Sequence, residues 1–165
     1  MQLDKKILSE INVSGYGSGE KAFGPALIGF RRVDETLYDF VNDLTQEKVE
    51  LKKQQGTQWF DGWKYHNLTQ DDRNIVMMFL VYKKKTGVEY VWSISLGDFI
   101  DILLKDDEYS PDGWEAENLA IKHMTKQRYK TEQSKLKLSV KKFIKKHGNM
   151  GTFHYQKSLD TSLTR

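Results

Sequence analysis

Residues 75–84, IVMMFLVYKK, are apolar at eight consecutive positions before the first lysine. That run is much too short to span a bilayer as a helix. Its β-branched and aromatic content, closed by the turn residues KTG, predicts a strand. A strand that is apolar at every position has both faces covered. The next segment, VEYVWSIS, alternates and predicts an antiparallel partner. A chain with such a pair at its centre needs a layer on each side of the sheet. The expectation is an α/β fold, with α/β/α layering around a mixed central sheet flanked by helices.

The flanking segments offer those layers. Leu3, Ile7, Leu8 and Ile11 fall near helical spacing. Residues 20–30 predict a helix with Ala22, Phe23, Leu27 and Ile28 inward, although Pro25 suits a first turn better than an interior. LGDFIDILLK predicts a helix from about Gly97-Asp98, with Phe99, Ile102 and Leu103 inward. Residues 119–130 predict a helix, KLKLS a strand, and VKKFIKKHG a closing helix stopped by Gly148. Residues 54–74 read as a loop dense in aromatics and amides, and the segment after Met150 carries little pattern. The 165 residues, 38% of them hydrophobic, suffice for one core rather than a disordered chain. A single domain is expected over 1–155, followed by a tail over 156–165. Within it, residues 1–35 are expected to be helical, 36–105 to form the sheet, and 106–155 to make a basic C-terminal region.

The absence of cysteine excludes disulfide frameworks, thiolate catalysis and zinc–cysteine sites. MQLDKKILSE has no signal-peptide core, so a soluble cytoplasmic protein with no membrane partner is the expectation. The net charge is only +3, but it is segregated. Residues 121–147 hold ten Lys or Arg against the single acid Glu132, after a strongly acidic stretch at 98–117. Positive potential gathered in one region attracts polyanions; a solvated lysine-rich helix face would give the same composition.

The chemistry-bearing pattern is the hairpin at residues 37–55, LYDFVNDLTQEKVELKKQQ. Its second strand alternates Val49 and Leu51 with Lys48, Glu50 and Lys52. Period two puts Glu50 and Lys52 on one face, ~6–7 Å apart. An acid facing Glu50 from the first strand, Asp39 or Asp43, would complete a pair suited to Mg²⁺, which favours one or two carboxylates, waters and a substrate phosphate. Such a cation lowers the pKa of the attacking water and offsets charge gathering on phosphorus, while a neighbouring lysine aligns or deprotonates that water. A surface ladder of cross-strand charge pairs would read identically, and Asp4-Lys5-Lys6 has the same shape without the context.

With those residues in view, the chain resembles the PD-(D/E)XK nuclease superfamily, and within it the PvuII-like type II restriction endonucleases. YDFVNDLTQEKVELKK resembles the family's Asp-to-Glu-x-Lys segment, with one extra residue in the turn. MFLVYKKKTGVEYVWSISLGDFIDIL is similar to its following strand pair and helix, and KLSVKKFIKKHG to its closing lysine-rich strand and helix. The resemblance implies catalytic Asp39, Glu50 and Lys52, with Asp39 and Glu50 holding Mg²⁺. It also implies a homodimer cleaving both strands of palindromic duplex DNA to 5′-phosphate and 3′-hydroxyl ends, and a cognate DNA methyltransferase in the genome. Where the family reads the major groove with a histidine cluster, this chain has Gln54, Gln55, Thr57, Gln58, Lys64, Tyr65, His66 and Asn67. These residue types can contact adenine or guanine edges, so a different recognition sequence is expected. Ser134 and Lys135 stand where the family places base-contacting asparagines, which this chain does not keep, and the lysines there, Lys135 and Lys137, are expected to hold phosphates. Glu20 is a candidate extra acid. The alternatives are a repair or structure-specific nuclease of the same superfamily, and a non-catalytic DNA-binding protein using the basic segment alone.

Overall fold

The computed structural model describes residues 1–11, 18–65, 68–106 and 135–157. Strand β5 (Val76–Lys83) is the axis of a mixed α/β fold. Met77 to Val81 are wholly buried, and their alternation divides them between two cores. Met77, Phe79 and Val81 face one cluster, while Met78, Leu80 and Tyr82 face the other. The uninterrupted apolar run thus means what it predicts, a strand covered on both sides.

Around it lie β1 (Arg31–Arg32), β2 (Phe40–Val41), β3 (Lys48–Gln54), β6 (Gly87–Ser95) and β8 (Thr152–Gln156), in the order β1-β2-β3-β5-β6-β8. Only β3 and β5 run parallel. Their crossover carries β4 (Thr57–Asp61), a 3₁₀ turn at Gly62–Tyr65 and the short helix α3 (Gln70–Arg73). β4 leaves the main sheet and pairs antiparallel with β7 (Lys135–Ser139) in a separate two-stranded sheet.

One face of the main sheet is covered by α4 (Leu96–Lys105) and α5 (Val140–His147). Ser95 caps α4 by accepting from the Asp98 N–H at 3.1 Å, and Leu96, Phe99, Ile100, Leu103 and Leu104 form its buried stripe. Phe79, Trp92, Phe99 and Phe143 interlock beneath it with ring centroids 5.4–6.1 Å apart. The opposite face is covered by α1 (Lys5–Glu10), α2 (Ser18–Phe23) and the turn that follows α2, through Leu8, Phe23, Ala26 and Leu27.

Several expectations need correction. The helix over 20–30 ends at Phe23 and gives way to a 3₁₀ turn at Gly24–Ala26. Pro25 sits in the first turn, where its missing N–H costs nothing. Ile28, expected inward, is 44% exposed. The supposed loop over 54–74 contains β4 and α3, the latter started by a Thr69/Asp72 capping box. The patternless segment after Met150 supplies β8, hydrogen-bonded to β6. The helix expected over 119–130 lies outside the described residues. No helix among the described residues is long and apolar enough to cross a membrane.

Candidate active site

The turn between β2 and β3 fixes the register on which the site depends. Asn42 Oδ1 accepts from the N–H groups of Leu44 and Thr45, and the Asn42 N–H donates to Glu47 O at 2.9 Å. Gln46 adopts φ 63°, the one left-handed non-glycine residue among those described. Phe40 then pairs with Val49, both buried on the α1/α2 side. Continuing that antiparallel register by one residue sets Asp39 opposite Glu50, on the other face.

Asp39 completes the ladder where β2 gives out. Its N–H donates to Val49 O, and its Oδ2 accepts the Leu51 N–H, both at 2.8 Å. Glu50 is 3% exposed, so its charge depends on partners. Two amines provide them: Lys52 Nζ and Lys64 Nζ each lie 2.6 Å from Glu50 Oε1. Lys52 comes from the same strand face by period two. Lys64 arrives from the 3₁₀ turn after β4.

Burial pushes the Asp39 carboxyl up to about 7, with the neighbouring Glu50 charge adding to the rise and the Leu51 N–H opposing it. Glu20 adds a smaller push, while its Oε2 pairs with Arg32 at 2.8 Å. The alternative acid, Asp43, is not in the cluster. It makes a two-pronged surface pair with Arg31, at 2.6 and 3.0 Å, which holds its carboxyl below the usual range. Of the two candidates on the first strand, only Asp39 faces Glu50.

Among the described residues no three His, Asp or Glu side chains converge as a ligand set. A cation at this place would have only the two carboxylates as protein donors, with one oxygen of each already engaged, by Leu51 N–H and by the lysines. That set fits Mg²⁺, which fills its remaining positions with water and substrate oxygens.

The residues expected to contact DNA divide sharply. Gln54 is 2% exposed and Tyr65 is 1% exposed, Tyr65 as a member of the core. Burial corrects the expectation that either reaches a groove. Gln55 is exposed at the end of β3. Thr57 and Gln58 lie on β4 opposite Ser139 and Leu138, and Lys135 and Lys137 lie on β7 opposite Asp61 and Trp59. Lys64 is turned onto Glu50. His66, Asn67 and Ser134 lie outside the described residues.

No protein-family model matches this chain, and no curated protein sequence matches it significantly.

Proposed function

We propose that this chain is a Mg²⁺-dependent, sequence-specific endonuclease of double-stranded DNA that acts as a homodimer. The observation that carries the reading is the convergence of Asp39, Glu50 and Lys52 from adjacent strands, with Lys52 Nζ 2.6 Å from Glu50. Asp39 and Glu50 would hold the cation. When bound, it would polarise the phosphodiester and lower the pKa of the attacking water. Leu51 N–H fixes the Asp39 carboxylate in orientation. Lys52, 18% exposed, would orient that water and stabilise charge on the phosphate oxygens.

The test is cleavage of plasmid DNA with Mg²⁺, stopped by EDTA. Asp39→Asn, Glu50→Gln and Lys52→Ala should each lower the rate at least about 10²-fold. Asp43→Ala should cut like wild type, because its carboxylate is occupied with Arg31 on the surface. Discrete fragments support a restriction-type enzyme, while cutting only at mismatches or junctions assigns the same site to repair. A dimer should convert supercoiled plasmid to linear without accumulating the nicked form. Undiminished cutting by the Lys52 variant would end the proposal.

One observation favours a second reading. Glu50 Oε1 already carries two ammonium groups, as in a closed structural ion cluster. A non-catalytic DNA-binding protein would then bind duplex with steep salt dependence and no response to divalent cations.

A further inference from the structure

Glu50 Oε1 is reached by two ammonium groups at once, and one carboxylate oxygen has two lone pairs to offer. The two amines differ in how firmly the fold ties them there. Lys52 is two residues along β3 from Glu50, inside the main sheet. Lys64 enters from a four-residue turn fourteen positions away. Its neighbour Tyr65 is locked into the core at 1% exposure, so the turn's backbone is held. The flexible four-carbon stem of Lys64 alone decides whether its charge rests on Glu50 or elsewhere.

Charge makes that choice depend on what else is bound. In the cation-free protein the two lysines bring two positive charges to Glu50 Oε1, beside the Asp39 carboxyl. A divalent cation on the same carboxylates adds two positive charges within a few ångströms, where like charges repel strongly in a partly buried setting. A DNA duplex brings phosphates that offer a displaced ammonium a new partner.

Building on the nuclease reading, we propose that Lys64 is a displaceable counter-ion: it holds Glu50 in the cation-free protein and passes to a DNA phosphate when a divalent cation takes the carboxylates. Lys64 is then a positioning residue before substrate binds and a phosphate ligand afterwards. It tunes cation affinity downward until DNA is present.

The distinguishing measurement needs no cleavage. Mn²⁺ is titrated calorimetrically into the full chain at pH 8 without DNA. Lys64→Gln should bind about tenfold tighter or more, because a competing charge is gone. Lys64→Arg should stay near wild type. A purely structural tie predicts the reverse, a looser site in Lys64→Gln, and that result overturns the inference, as does an unchanged affinity. If the glutamine variant melts below the titration temperature, Lys64→Met keeps the stem and carries the same expectation. Duplex binding in Ca²⁺ then reads the second half: the salt slope of Lys64→Gln should fall by about one phosphate contact, and an equal slope overturns the transfer. A wild type that binds no Mn²⁺ takes this inference and the nuclease reading down together. Cation-dependent cleavage with Mn²⁺ affinity unmoved by Lys64→Gln removes this inference alone.

Discussion

Asp39 is where the geometry has its most direct thermodynamic consequence. Its carboxyl is raised to about 7 in the folded chain, chiefly by burial and then by Glu50. An unfolded aspartate titrates near 3.9. Between those values the folded state holds a proton that the unfolded state has lost, so stability falls as pH rises through that window. His154 acts oppositely: burial, its leading cause, lowers its pKa, so its contribution is lost as pH falls through the usual histidine range. Taking the difference between wild type and Asp39→Asn at each pH removes the histidine. In EDTA, wild type should lose melting temperature relative to Asp39→Asn between about pH 5.5 and pH 8. Parallel profiles would mean that Asp39 is not strained by its neighbours.

At the level of elements, legibility in the sequence follows from where each element's stabilisation is encoded. β5 declares itself because both faces are buried and every position from Val76 to Tyr82 is apolar. α4 does so because Phe99, Ile102 and Leu103 fall at helical spacing, although the capping hydroxyl of Ser95 sets its start at Leu96 rather than near Gly97-Asp98. The Asp39–Glu50–Lys52 grouping is readable because period two and a short hairpin determine it, while the choice against Asp43 needs the actual register. Lys64 is legible only as a lysine in an amide-rich segment. No local pattern announces a contact made from fourteen residues away. β4 reads as a loop because its partner β7 lies more than seventy residues on, and the pairing supplies what propensity does not. β8 escapes for a related reason. Its five residues, TFHYQ, are an edge strand held by β6, and the approach depends on Gly151, where any Cβ would collide with the Trp92 ring and with Ser93 O. Gly151→Ala should therefore cost about 1–3 kcal/mol, the usual penalty for overpacking. Gly56→Ala, at a position with nothing within 4 Å, serves as the control and should stay near wild type. Chemical denaturation of the two variants side by side decides it; equal midpoints would show β8 to be loosely docked.

Across the whole molecule, the four charged groups belong together only when the sheet is assembled. The residue before β2 is Asp39, β3 brings Glu50 and Lys52, and the crossover between two parallel strands brings Lys64. A cation that needs this cluster binds the folded chain and ignores the unfolded one, so it must raise stability by mass action. At ten times its dissociation constant, the gain is about 1.4 kcal/mol. For a chain of this length that corresponds to a rise of roughly 3–6 °C in melting temperature. The response should be larger at pH 8 than at pH 5.5, because the proton raised onto Asp39 competes for the same oxygens. Glu50→Gln should abolish it, and EDTA should reverse it. Mn²⁺ and Ca²⁺ are the useful probes, since Mg²⁺ gives up its waters reluctantly and binds weakly until a phosphate is present. A melting temperature that climbs equally in wild type and Glu50→Gln would place the cation elsewhere on the surface, and with it any cation-dependent chemistry.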